Sequence, residues 1–83
     1  MKTQIYTVDY CPYCKKAIVF LKEHGVEFSQ QKIDEDEDTW RKKLGEMFNI
    51  KGEVTVPQIV INEQYIGGYT DMIAKYNSGE LKL

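Results

Sequence analysis

Both cysteines of the chain, Cys11 and Cys14, fall in the stretch DYCPYCKK. Two thiols at this spacing fit a redox pair, half of a metal site, or structural thiols with no chemistry. Their neighbours separate these readings. Pro12 suits the first turn of a helix, where its missing N–H removes no hydrogen bond. Cys11 then becomes the N-cap and Cys14 the third residue inside. The first N–H groups of a helix have no acceptor within it. Pro12 offers none, so those of Tyr13 and Cys14 can both point at the Cys11 sulfur, as they would at a capping serine. Such donors, with the helix dipole, favour a thiolate on Cys11. Cys11 is therefore the expected nucleophile and Cys14, on the inner side of the turn, the buried resolving thiol. Lys15 and Lys16 in the same turn either help hold that negative charge or are solvated surface lysines.

Competing chemistries meet specific obstacles. Structural zinc takes four ligands, and two cysteines supply half of them. The one histidine, His24, lies thirteen residues beyond Cys11 along the same helix, about 20 Å away at the usual helical rise. It completes neither a zinc site nor a Cys–His hydrolase, whose base must be within hydrogen-bond reach. A place at the helix end suits it better. The acidic run Asp34 to Asp38 resembles the first ligands of a calcium loop. Thr39 then stands where that loop needs glycine, and Gly45 where it needs glutamate. A solvated loop, its last acids favouring the next helix N-terminus, is the expectation.

The elements that position the pair follow from periodicity. TQIYTV (3–8) reads as a strand. Cys14, Ala17, Ile18 and Leu21 form one face of the helix begun at Pro12, with Gly25 as its stop. VEFSQQKI (26–33) reads as a second strand. Trp40, Leu44, Met47 and Phe48 form the apolar stripe of a second helix, which Gly45 weakens. PQIVIN opens on Pro57 as a third strand, with a tight turn at Asn62 and Glu63 into a short fourth, QYI. Gly67 and Gly68 end that strand, and YTDMIAKY forms a last helix with Tyr69, Met72, Ile73 and Tyr76 on one side and Gly79 as cap. The order β-α-β-α-β-β-α predicts an α/β fold. The first two strands are parallel neighbours, and the last two form a hairpin in one four-stranded mixed sheet flanked by three helices.

At 83 residues the chain suits one domain, expected to span residues 1–83. Hydrophobic residues are 42% and charged residues 29%, an ordinary globular balance. A net charge of −2 points to no nucleic-acid partner. No apolar run approaches the ~20 residues of a membrane span. The opening MKTQIYTVDY lacks the apolar core of a signal peptide. Two close cysteines are not a secreted disulfide framework. A reducing cytoplasm is the expected location. A C-x-x-C beside a β-α-β pattern in such a chain is a sign of a thioredoxin-like redox motif.

CPYC at 11–14, TVPQI at 55–59 and GGYTD at 67–71, in this order and spacing, resemble the glutaredoxins over nearly the whole chain. The resemblance implies a thioredoxin-like fold and a glutathione-dependent disulfide reductase, with glutathione as co-substrate and no metal. It implies a cis Val56–Pro57 bond opposite Cys11, with the Val56 N–H and C=O pairing with the cysteinyl backbone of glutathione like an added strand residue. It implies an anion site for the γ-glutamyl carboxylate at the N–H groups of Thr70 and Asp71, behind Gly68 and Tyr69, with the Asp71 side chain taking the γ-glutamyl amine. Tyr13 resembles the family tyrosine bordering the groove, and Thr55 the threonine beside the cis proline. Read without the resemblance, GGYTD is an ordinary glycine turn before a helix.

The chain departs from that family at Val8, where many members carry a lysine or arginine near the glycine carboxylate of glutathione. Arg41, Lys42 or Lys51 could replace it. The resulting expectation is reduction of protein disulfides and glutathionylated mixed disulfides, in a monomer. Ribonucleotide reductase is a family-typical recipient. Two alternatives stand beside it. One is a dithiol electron donor reduced by thioredoxin reductase, suggested by Val8. The other is an iron–sulfur module holding a cluster between two chains through the first cysteine and glutathione, which the stiffening Pro12 disfavours.

Overall fold

The structure, a computed structural model, describes residues 3–83. Four strands form one mixed sheet: β1 (Gln4–Thr7), β2 (Ser29–Lys32), β3 (Gln58–Ile61) and β4 (Gln64–Gly67). Three helices accompany it: α1 (Pro12–Glu23), α2 (Glu37–Met47) and α3 (Tyr69–Ser78). The strand order is β2-β1-β3-β4. β1 and β2 are parallel, β1 and β3 antiparallel, and β3 and β4 a hairpin. This is the expected topology. The hairpin turn holds Asn62 and Glu63 at φ 52° and 68°, the two positive values of a turn whose twist matches that of its strands.

Alternation along β1 assigns the two cores. Ile5 packs with Ala17 and Leu21 of α1, Ile59, Ile61 and Ile66 of the hairpin, and Met72 of α3. Tyr6, one residue on, belongs to the opposite core with Trp40, Leu44 and Phe48. Helices α1 and α3 therefore cover one face and α2 the other. Burying a large aliphatic side chain contributes about 1.5–3 kcal/mol, and Ile5, Leu21, Leu44 and Ile59 are fully buried. These pairings fix the sheet under the cysteine turn.

Several expectations change in detail. β2 is shorter than 26–33, and all four of its side chains are exposed. Its burial comes from Val26 and Phe28 before it and Ile33 after it, so the strand proper is a polar sheet edge. Met47 leaves the stripe of α2 and is 53% exposed, because residues 40, 44 and 48 alone share a face down to the helix end. Gly45 has a packing role: a Cβ there would meet Val54 Cγ2 at 3.2 Å. The acidic run is no loop. Asp34–Asp36 form a 3-10 turn leading into α2, with Glu37 and Asp38 in its first turn. Pro57 precedes β3 instead of opening it. Among the described residues no helix is long and apolar enough to cross a membrane.

Candidate active site

The turn between β1 and α1 presents the cysteines as their spacing requires. Cys11 is the N-cap of α1, in extended conformation, with Pro12 the first helical residue. The Cys14 N–H donates to the Cys11 sulfur at 3.1 Å. The second expected donor, Tyr13 N–H, makes no such bond among the described residues; a single capping bond forms. The Cys11 S–H donates in turn to the Val56 carbonyl, 3.6 Å away. Both thiols are free. Cys11 is 7% exposed and Cys14 only 1%. Of the two readings for Lys15 and Lys16, the exposure of both fits surface lysines. Lys16 lies over the Tyr13 ring, 5.3 Å from its centre.

Burial pushes the Cys14 thiol up to about 12. A hydrogen bond with Cys11 acts in the same direction, and the negative charge of Asp34 adds to it. Asp34 carries a buried carboxylate oxygen with no partner, Oδ1, while Oδ2 accepts from the Asp9 N–H at 2.7 Å. The fold therefore holds Cys14 protonated against an unfolded value of about 8.5. A thiol with a raised folded pKa contributes stability that is present below ~8.5 and lost as pH rises toward 12. Reduced protein should lose up to ~1.4 kcal/mol per pH unit above pH ~9 through this group. Urea unfolding of reduced wild type and Cys14→Ala between pH 7 and 11 checks it. Parallel losses in the two proteins would rule the Cys14 contribution out.

The wall opposite Cys11 is the segment Val54–Pro57. The Val56–Pro57 bond is cis. Val56 is half-buried with its N–H unpartnered among the described residues, Pro57 is buried, and Thr55 is exposed. Gln58 supports this wall. It is 3% exposed, donates to the Thr55 carbonyl at 2.6 Å, and accepts from the Tyr65 hydroxyl. Tyr65 stacks on Phe48 at the end of α2, with ring centres 4.2 Å apart. Gln58 escapes the sequence reading because a glutamine in QIVI looks solvent-facing; its signal is an amide where alternation demands a core residue.

The third side is the start of α3. Gly68 is its N-cap, packed close to the Pro57 carbonyl, which a Cβ on Gly68 would meet at 3.5 Å. Asp71 Oδ2 accepts from the Gly68 N–H at 2.9 Å. The expected free carboxylate is thus partly engaged in capping its own helix. The N–H groups of Thr70 and Asp71 have no acceptor among the described residues, and both residues are exposed. Tyr69 lies beside Tyr13, ring centres 5.9 Å apart. The three segments that carry Cys11, Cys14 and Tyr13, then Thr55, Val56 and Pro57, then Gly68, Tyr69, Thr70 and Asp71 are thus brought together, Cys11 against Val56, Tyr13 beside Tyr69 and Gly68 against Pro57.

A fourth group links the turn before Cys11 to Val54. The Tyr10 hydroxyl donates to Glu37. Glu37 pairs with Arg41 at 3.0 Å, and Arg41 also donates to the Val54 carbonyl. Tyr10, then Arg41, hold the Glu37 carboxyl below its ordinary range. Lys42 and Lys51 are exposed without such contacts among the described residues. Val8 is 2% exposed and packs with Cys11, Cys14 and Ile33, which leaves no room there for a charged head. His24 caps the far end of α1 as expected, its Nδ1 2.8 Å from the Phe20 carbonyl.

Known proteins resemble the chain in sequence and in fold. A sequence model of the glutaredoxin family matches residues 4–66. The chain is 40% identical over 80 residues to a probable glutaredoxin of Synechocystis, covering 96% of this chain and 88% of that one. It is 42% identical over 71 residues to glutaredoxin 3 of Escherichia coli, covering 86% and 81%. The structure of glutaredoxin 1 from Francisella tularensis, complexed with cacodylate, superposes with a TM-score of 0.81 at 28% identity, covering 98% of each chain. With its thioredoxin-like sheet, its capped cysteine pair and these relatives, the chain belongs to the glutaredoxin family of thiol-disulfide oxidoreductases.

Proposed function

We propose that the protein reduces glutathionylated mixed disulfides and protein disulfides, with Cys11 as nucleophile, Cys14 as resolving thiol and glutathione as reductant. The observation that carries this is the unequal placing of the two sulfurs. Cys11 caps a helix and faces the Val56 carbonyl; Cys14 is the more deeply buried and is held protonated. An effective attacking thiol needs access and partial ionisation, and dithiol exchange needs a second thiol in reach.

The Cys11 thiolate attacks the glutathionyl sulfur of a mixed disulfide, and the substrate sulfur leaves as a thiolate that takes up a proton. A second glutathione attacks the resulting Cys11–glutathione disulfide, giving glutathione disulfide and regenerating Cys11. With a protein disulfide, Cys11 forms a mixed disulfide with one substrate sulfur. Cys14 loses its proton and attacks Cys11, releasing the second substrate thiolate and leaving a Cys11–Cys14 bridge. Two glutathiones reduce that bridge. In the groove, the unpartnered Val56 N–H and the Val56 carbonyl suit an extended cysteinyl backbone. The carbonyl accepts from the Cys11 thiol in the free protein, and loss of that proton frees it for substrate. The first N–H groups of α3 suit a carboxylate. A monomer in a reducing cytoplasm fits this chemistry.

Val8 inside the core motivates a second reading, a dithiol reduced by thioredoxin reductase. Steady-state rates with glutathione and with thioredoxin reductase on the same mixed disulfide separate the two. Glutathione should be faster by about tenfold or more, in keeping with a built groove. Cys14→Ser should keep most of the glutathione mixed-disulfide activity and lose nearly all protein-disulfide reduction, accumulating a mixed disulfide at Cys11. Faster turnover with the reductase would reverse the assignment of the reductant.

A further inference from the structure

The Tyr10–Glu37–Arg41–Val54 chain joins both walls of the groove. Tyr10 immediately precedes Cys11. Val54 lies two residues before Val56, whose carbonyl faces the Cys11 sulfur. The wall runs from Val54 to Pro57, and Pro57 abuts the N-terminus of α3 at Gly68. An extended thiol peptide paired with Val56 therefore has one end at Gly68–Asp71 and the other at Arg41. Arg41 is the cation that end would meet, and two of its five N–H donors are already engaged. One part of its guanidinium binds a backbone carbonyl and another binds Glu37. The Glu37 and Arg41 side chains are equally sheltered, 27% exposed each. Glu37 is itself anchored by a neutral donor, the Tyr10 hydroxyl. Lys32 is paired with Asp9 at 3.1 Å.

Resting on the glutathione reading above, we propose that Glu37 is a specificity-determining latch: by holding Arg41, it makes the Arg41 end of the groove accept a neutral or peptide-extended thiol substrate as readily as one ending in a free carboxylate. A terminal carboxylate entering there shares the guanidinium with Glu37 and meets its like charge. A carboxamide or continuing peptide carries no charge and meets no such competition. The bias suits cysteines inside protein chains, whose C-terminal neighbour is an amide.

The test compares two mixed disulfides of 2-mercaptoethanol, one with glutathione and one with glutathione whose glycyl carboxylate is amidated. Wild type should show similar kcat/KM for both. Glu37→Gln keeps a hydrogen-bonding side chain but removes the competing charge. It should raise the carboxylate-to-amide ratio of kcat/KM about three- to fivefold, the scale of a partly exposed ion pair, and do so through KM. Tyr10→Phe, which loosens Glu37 without removing it, should raise the ratio by a smaller factor. An unchanged ratio in Glu37→Gln, with wild type active on both disulfides, overturns the latch and leaves the glutathione reading standing. Inactivity of wild type on both overturns that reading and the latch together.

Discussion

Cys11→Ser is expected to abolish turnover of glutathione mixed disulfides, by ~1,000-fold or more, equivalent to about 4 kcal/mol of barrier. The fold should be untouched. A serine hydroxyl caps a helix as the cysteine sulfur does here, and the Cys14 N–H has the same acceptor position to donate to. What disappears is the chemistry. The serine oxygen is not ionised near neutral pH and forms no disulfide, so neither the attack nor the covalent intermediate exists. Cys14 does not substitute for it. It is 1% exposed, and its thiol is pushed up to about 12 by burial, so almost none is thiolate at pH 7. Activity with the glutathione mixed disulfide, read beside a thermal melt, checks both halves. Activity within about tenfold of wild type in a folded Cys11→Ser protein would remove Cys11 as the nucleophile.

This asymmetry was legible in the sequence because it rests on local rules. Pro12 sets the helix start, the helix start sets Cys11 as cap, and the helical repeat sends Cys14 inward with Ala17 and Leu21. The strand order followed for the same reason: a helix between β1 and β2 leaves little choice but a parallel pair, and the Asn62–Glu63 turn leaves little choice but a hairpin. What stayed hidden depends on contacts between residues distant in the chain. Tyr10 and Glu37 are 27 positions apart, and Arg41 and Val54 are 13. No periodicity links them. Asp34 looks like one acid of five in a solvated run, yet its carboxylate comes back to the turn before Cys11. Val8 is the clearest case. Compared with a family pattern it is a missing charge; packed against Cys11, Cys14 and Ile33 it is a core residue, while Arg41 of α2 is the cation tied to the Val54 carbonyl.

The groove also depends on a residue with no chemistry of its own. Gly67→Ala should destabilise the protein by roughly 2–4 kcal/mol, out of a total of ~4–12 for a chain of this length, and weaken glutathione binding severalfold. Gly67 ends β4 at φ +117°, beside a register shift between Ile59 and Val60 on the partner strand. A side chain in that conformation costs about 1–2 kcal/mol by itself. The remainder comes from Asp71. A Cβ on Gly67 would lie 2.5 Å from Asp71 Oδ2 and 2.9 Å from its Cγ. The carboxylate must then rotate away and give up the Gly68 N–H, a cap worth about 0.5–2 kcal/mol. The same rotation disturbs the α3 N-terminus proposed to hold the γ-glutamyl end. Gly52 supplies the comparison. It has φ +92° and nothing within 4 Å of an added Cβ, so Gly52→Ala carries the backbone cost alone. Urea unfolding of both variants, with the KM for the glutathione mixed disulfide, separates the two contributions. In an Asp71→Ala background the excess of Gly67→Ala over Gly52→Ala should shrink, since only the residue 71 Cβ, 3.1 Å from the added one, is left to give way. Equal losses for the two glycines with Asp71 in place, and an unaltered KM, would mean that the contact between Gly67 and Asp71 does not hold the end of the groove in shape.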